Sequence, residues 1–216
     1  MVTIKAECDS TKKAVNNQSE IARKIKIGVL AAQGAFAEHI TILRQLGIEA
    51  VPVRLPQELK GLDGLIIPGG ESTSISKLML DYDLTNEIRN LAKHDLPIFG
   101  TCAGMILLAT ENSDSEVKPL DVMKIKVRRN AFGRQRDSFE TELSIPALGE
   151  KSFPAVFIRA PIIEQANSEV EILARRADGT AVAARQGKLL ASAFHPELTD
   201  DLRFHRYFLD IVSGDQ

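Results

Sequence analysis

Short, nearly continuous apolar runs alternate with longer stretches whose apolar positions recur at helical spacing through the first half of the chain. Residues 25–32 predict a strand, Gln33-Gly34 a turn, and residues 37–46 a helix. Residues 49–53 and 65–67 predict two further strands. Beyond Pro68-Gly69-Gly70 a helical segment carries Ile75, Leu78, Met79, Ile88 and Leu91. Residues 97–101 predict the next strand, and residues 105–109 continue as helix. Strands this apolar need cover on both faces, and helical crossovers supply it. The pattern predicts an α/β protein of three layers around a largely parallel sheet.

The second half changes character. Strands are predicted at 122–127, 155–160, 170–174, 181–184 and 189–194, joined by loops and turns, which adds antiparallel strands to the sheet. Gln186-Gly187 reads as a hairpin connection, and residues 202–211 as a closing helix. Thr199 or Asp200 is expected near the start of that helix, with Gly214 beyond its end. No internal repeat appears. Residues 1–24 are polar and lack a repeating apolar face, so they are expected to form a flexible extension. Basic residues within that leader leave a docking tail as the alternative. Residues 25–212 are expected to form one domain.

Composition changes this picture little. The chain of 216 residues is 44% apolar and 26% charged, ordinary for a globular protein with a full core. A formal charge of -2 gives no reason to expect nucleic acid or an anionic membrane as partner. No apolar stretch is long enough to span a bilayer, and no secretory pattern opens the chain, so a cytoplasmic address is expected. The two cysteines, Cys8 and Cys102, are not expected to pair in a reducing compartment. Four histidines and two cysteines show no zinc-ligand spacing, so no metal is expected.

The chemistry centres on Cys102, which follows an apolar strand in Pro97-Ile98-Phe99-Gly100-Thr101-Cys102-Ala103-Gly104. A buried cysteine is often only a small core hydrophobe. Glycines at 100 and 104, however, permit a tight strand–turn–helix elbow with close substrate approach. The start of the following helix would also favour thiolate. Phe194-His195-Pro196-Glu197 offers a base and an orienting carboxylate, with both side chains leaving an extended segment on one side. The plainer alternative is a histidine at a core edge. Pro68-Gly69-Gly70-Glu71-Ser72-Thr73 reads either as a turn capped by Ser72 or Thr73, or as a nest of backbone N–H groups. In the second reading Gly70 and Ala103 supply the two donors for an oxyanion. The turn lacks the Gly-Lys-Ser/Thr ending of a phosphate loop.

Taken together, these motifs resemble the class I glutamine amidotransferase family, whose fold is a three-layer, flavodoxin-like α/β sandwich. Within it they resemble the glutaminase subunits of pyridoxal 5′-phosphate synthase. The resemblance spans residues 25–212 and rests on stretches 28–39, 68–73, 100–104, 127–135, 137–140, 157–161 and 194–198. It implies Cys102 as nucleophile, His195 as base and acid, and Glu197 as its orienter. It implies glutamine contacts at Gly70, Glu71, Ser72, Arg129, Ile158 and Arg159. A guanidinium suits this task because it grips an α-carboxylate with two hydrogen bonds. The resemblance further implies ammonia release from L-glutamine and transfer to a separate synthase subunit, in an assembly of twelve copies of each. No cofactor is expected, since pyridoxal 5′-phosphate is the product of the complex. A catalytically silent regulatory or scaffolding subunit, a free-standing cysteine hydrolase, or an amidotransferase serving another pathway stands as the alternative. Two features depart from the family pattern: the 24-residue leader and the polar stretch 111–118.

Overall fold

The computed structural model describes residues 24–129 and 138–214. Expectations for residues 1–23, including Cys8, and for residues 130–137 of the family motif concern positions outside this range. Strand β1 (Lys26–Leu30) pairs in parallel with β2 (Glu49–Val53) on one side and β3 (Gly64–Ile67) on the other. Next to β3, again in parallel, lies β4 (Ile98–Thr101). The crossovers are α1 (Phe36–Gln45), then α2 (Ser72–Asp81) and α3 (Leu84–Lys93). The single helical segment expected after Gly70 is thus two helices. Asp83 separates them at φ 58, a left-handed conformation that a short polar side chain tolerates.

Past the elbow, α4 (Ala103–Leu108) is fully buried and runs straight into β5 (Ala109–Asn112). The remaining elements are β6 (Met123–Arg128), β7 (Ser138–Leu143), β8 (Phe153–Ile158), β9 (Ile162–Ala166), β10 (Glu171–Arg175), β11 (Ala181–Gln186), β12 (Leu189–Ser192) and α5 (Arg203–Ser213). Among the described residues one ten-stranded sheet runs β2-β1-β3-β4-β12-β11-β9-β6-β5, with β10 against β11. Its first half is parallel; β11 is antiparallel to β12, β9 and β10. β7 and β8 form a separate antiparallel pair. Strands β5, β7 and β9 were not expected from the pattern, because β5 and β7 are mostly polar and none of the three is a continuous apolar run.

One pairing positions the chemistry. β12 returns antiparallel to β11 and inserts beside β4 in parallel, with Ser192 opposite Thr101. The segments leaving these two strands therefore emerge side by side at the carboxyl edge of the sheet, where open α/β sheets place ligands. Behind that edge Phe99, Phe153, Phe194, Phe204 and Phe208 are fully buried. Phe194 and Phe204 meet edge to face with centroids 5.2 Å apart. Such pairs add about 0.5–1.5 kcal/mol beyond area burial, which keeps the base of the site rigid. Helix α5 begins at Arg203 with Leu202 at its N-cap, just after Thr199 and Asp200, and the Asp201 carboxylate accepts the Arg203 N–H at 3.1 Å. It ends, as expected, at Gly214 with φ 79. Among the described residues no helix is long and apolar enough to cross a membrane.

Candidate active site

Cys102 sits between β4 and α4 at φ 47 and ψ -100. This is sparsely populated backbone for a residue with a Cβ, of a kind that costs about 1–3 kcal/mol and persists only where surroundings enforce it. Two contacts do so here. The Cys102 N–H donates to Ser192 O at 2.8 Å, extending the β4–β12 ladder by one residue. Gly104 lets α4 press on β3, since a Cβ there would stand 2.0 Å from Ile67 O. The elbow is therefore a product of sequence and packing together.

His195 follows β12, and its own N–H donates to Val156 O of β8 at 2.8 Å. A short 3-10 turn, Pro196–Leu198, comes next, so the chain here is not extended as the spacing suggested. The turn folds Glu197 back, and its Oε1 lies 2.7 Å from His195 Nδ1. The ring also interacts with Cys102. Burial opposes charge on His195, but the hydrogen bonds and charges of Cys102 and Glu197 outweigh it and push its pKa up to about 10. Glu197 is wholly buried at its side chain, and burial works against its charge. His39 and His195 facing it nevertheless hold it below the usual carboxylate range. Gly69 is required by this crowding: a Cβ there would stand 2.3 Å from His195 Cε1.

A cavity of about 190 Å³ opens in front of Cys102 and His195. Gly70, Glu71, Ser72, Ala103, Ile106, Arg129, Ile158 and Arg159 line it with them. All the residues expected to face substrate thus share one cavity, with Glu197 behind His195. The Ile158 carbonyl accepts the Cys102 thiol at 3.9 Å, and Arg159 is left-handed at φ 43. The Gly69 carbonyl accepts the Ala35 N–H at 3.1 Å. Because the peptide is planar and trans, the Gly70 N–H points away from Ala35.

Glu71, rather than Ser72 or Thr73, caps α2. Its carboxylate accepts the N–H groups of Thr73 at 3.1 Å and Ser74 at 2.7 Å. Those bonds, the Ser74 contact foremost, lower its pKa to about 2. Arg129 reaches the same carboxylate at 3.4 Å and also pairs with Asp114 from the polar stretch 111–118. Gln33, which the sequence marked only as a turn, fixes the other side: its Oε1 accepts the Glu71 N–H at 3.0 Å.

Two functional-looking residues went unremarked in the sequence, His39 on α1 and His205 on α5, both fully buried. The available signal was position: His39 stands on the same face as Leu43, and His205 as Leu209, where hydrophobes would pack. Among the described residues no His, Cys, Asp and Glu cluster has the arrangement of a metal site. A larger groove of about 980 Å³ along β7, β8 and the turn into α5 is lined by neither cysteine nor histidine.

The fold and the elbow define a cysteine-nucleophile α/β enzyme with a histidine–carboxylate pair. Comparison with known proteins narrows this class. Residues 29–213 match the model of the SNO glutamine amidotransferase family, and the chain belongs to that family. It is 58% identical over 190 residues to the pyridoxal 5′-phosphate synthase subunit PdxT of Dehalococcoides mccartyi, covering 87% of this chain and 97% of that one. It is 56% identical to the PdxT subunit of Moorella thermoacetica, covering 87% and 100%. A crystal structure of a glutamine amidotransferase superposes with a TM-score of 0.82 at 50% identity, covering 87% of this chain and 98% of its own.

Proposed function

We propose that this chain hydrolyses L-glutamine to L-glutamate and ammonia through Cys102, His195 and Glu197, and passes the ammonia to a separate pyridoxal 5′-phosphate synthase subunit. The observation that carries this reading is the strained Cys102 beside a Glu197-bound His195, both lining one small cavity. The family and the PdxT relatives supply the substrate and the pathway.

The steps follow from the geometry. Cys102 Sγ, paired with the protonated His195, attacks the side-chain amide carbon of glutamine. The carbonyl oxygen becomes an oxyanion, stabilised by the Gly70 and Ala103 N–H groups; one well-aligned donor of this kind contributes about 2.7–4 kcal/mol. His195 then protonates the departing nitrogen, and the C–N bond breaks to leave a γ-glutamyl thioester and ammonia. Water, deprotonated by His195, cleaves the thioester to glutamate and frees Cys102 Sγ, with the proton back on His195. Glu71, Ser72, Ile158 and the guanidinium groups of Arg129 and Arg159 hold the α-amino and α-carboxylate ends. No cofactor takes part in these steps.

In this reading the synthase subunit is the protein partner, in a cytoplasmic assembly of twelve copies of each. The decisive experiment incubates the protein and its synthase partner with a glutamine-like electrophile and follows glutamate release. Labelling at Cys102, and loss of both label and turnover in Cys102→Ser, is expected. Wild-type turnover in Cys102→Ser would overturn the assignment. Incorporation of labelled amide nitrogen into pyridoxal 5′-phosphate tests the pathway separately.

A further inference from the structure

Behind Glu197, away from the substrate cavity, side chains from three elements meet out of contact with solvent: His39 on α1, Thr101 ending β4, and His205 on α5. His39 Nδ1 lies 2.9 Å from His205 Nε2. His39 Nε2 lies 3.3 Å from Thr101 Oγ1 and 3.3 Å from Glu197 Oε2. Glu197 Oε2 has no well-formed hydrogen bond, and neither has His205 Nδ1. The proton-transfer pair already described uses Oε1 of the carboxylate and leaves Oε2 to this inner cluster.

The arrangement of protons in the cluster is constrained. Burial lowers the pKa of His39, against the pull of Glu197, with His195 adding to the lowering and Glu38 on the same helix opposing it. Burial also lowers the pKa of His205, to about 3, and His39 adds to that. Burial thus favours the neutral form of both rings, and a neutral ring carries one N–H. A proton on His205 Nδ1 would be a buried donor with no acceptor, a costly arrangement. It would also make His39 donate from Nδ1 and turn the bare Nε2 lone pair toward the Glu197 carboxylate. With the proton on His205 Nε2, that N–H donates to His39 Nδ1, and the His39 Nε2–H faces Glu197 Oε2 and Thr101 Oγ1. The second arrangement removes both conflicts.

We propose that His39 is a positioning residue for the histidine–carboxylate pair: its Nε2–H holds the second oxygen of Glu197, and His205 fixes the tautomer that makes this hold. Glu197 stands on a single 3-10 turn, and one bond from His195 leaves its carboxylate free to rotate about its terminal torsion. A second, neutral donor fixes the plane of the carboxylate without cancelling its charge. Oε1 then stays aimed at His195 Nδ1, and the opposite ring nitrogen at Cys102. Proton transfer depends on such alignment, and the supporting donor has to be rigid to supply it.

This inference rests on the reading of His195 and Glu197 as a proton-transfer pair. It is tested on the full chain with its synthase partner, and on the full chain labelled with ¹⁵N-histidine. Ring-nitrogen spectra should show His39 and His205 neutral and protonated at Nε2; a His39 protonated at Nδ1 overturns the proposal. His39→Leu should lower kcat by roughly tenfold, the low end for loss of an orienting partner. Its KM should stay within about twofold, and the alkaline limb of its pH profile should move to lower pH. His39→Gln, whose amide N–H reaches toward Oε2, should recover most of that loss. If His39→Leu melts too low to assay, His39→Gln decides: a folded His39→Gln protein as slow as Glu197→Gln overturns the proposal. Normal turnover in folded His39→Leu, with Cys102 still labelled by the electrophile, sinks this inference alone. Absence of the Cys102 label in the wild type sinks the glutaminase reading instead.

Discussion

At the scale of single residues, the site concentrates its strain and its crowding at Cys102 and Gly69. The left-handed, off-minimum backbone of Cys102 is sustained by the Ser192 carbonyl and by the close approach of Gly104 to Ile67. Gly69 packs against the imidazole so tightly that Gly69→Ala should displace the His195 ring. A fall in kcat with little change in melting temperature is expected, checked by steady-state kinetics beside calorimetry. Equal turnover would show that the ring has room the structure denies it. The pH profile follows from the raised pKa of His195. The imidazolium is present below about 10 and lost as pH rises through that value, so turnover should hold through neutral pH and fall on the alkaline side. Glu197→Gln removes the negative charge that supports the imidazolium, so the alkaline limb should shift to lower pH as turnover drops. An unmoved limb would separate Glu197 from His195.

Among the elements, α2 follows the turn proposed to hold substrate, and Glu71 ties the two together. Its carboxylate caps the helix, its backbone N–H is held by Gln33, and its side chain meets Arg129. Glu71→Ala should cost about 0.5–2 kcal/mol of stability, the usual range for a lost cap, and raise KM for glutamine. Glu71→Gln keeps an acceptor and should recover part of both, read out by urea denaturation and by kinetics. Packing of α4 sets the opposite wall. Gly104→Ala places a methyl against a backbone carbonyl that cannot swing aside, and overpacking of that kind costs about 1–3 kcal/mol. A stable, fully active Gly104→Ala would show that α4 is free to slide along β3.

For the whole molecule, the question is how the two proposed oxyanion donors are brought into register. The Gly70 N–H belongs to a peptide whose carbonyl is already held by Ala35, and the Ala103 N–H belongs to the strained elbow. A partner surface that orders residues 68–73 would raise turnover by preorganisation, without supplying a further nucleophile. The isolated chain is therefore expected to hydrolyse glutamine slowly. Adding the synthase subunit should increase turnover and protect residues 68–73 from hydrogen exchange. Full activity alone, with no change in exchange on mixing, would rule out this coupling. Deleting residues 1–20 should leave complex formation intact; loss of the complex would assign that leader a docking role.

Local pattern in the sequence was enough for the strands that carry continuous apolar runs, for the Gln186-Gly187 hairpin and for the Gly214 helix end, because each depends on neighbouring residues alone. The motif residues at 68–73, 102–104 and 195–197 were legible for the same reason: tight turns demand glycine, and reactive side chains announce themselves by type. Strands β5, β7 and β9 were not legible, since they are held by backbone hydrogen bonds to neighbouring strands, which the pattern of side chains does not report. Nor was the insertion of β12 beside β4, which brings positions 102 and 195 together across a long sequence separation. Glu71 as the helix cap and the buried His39–His205 pair behind Glu197 likewise emerge only in three dimensions. Which polar groups face one another in a dry interior is decided by how helices pack on a sheet. Residue type and periodicity mark a buried histidine, but only packing supplies the partner that gives it work.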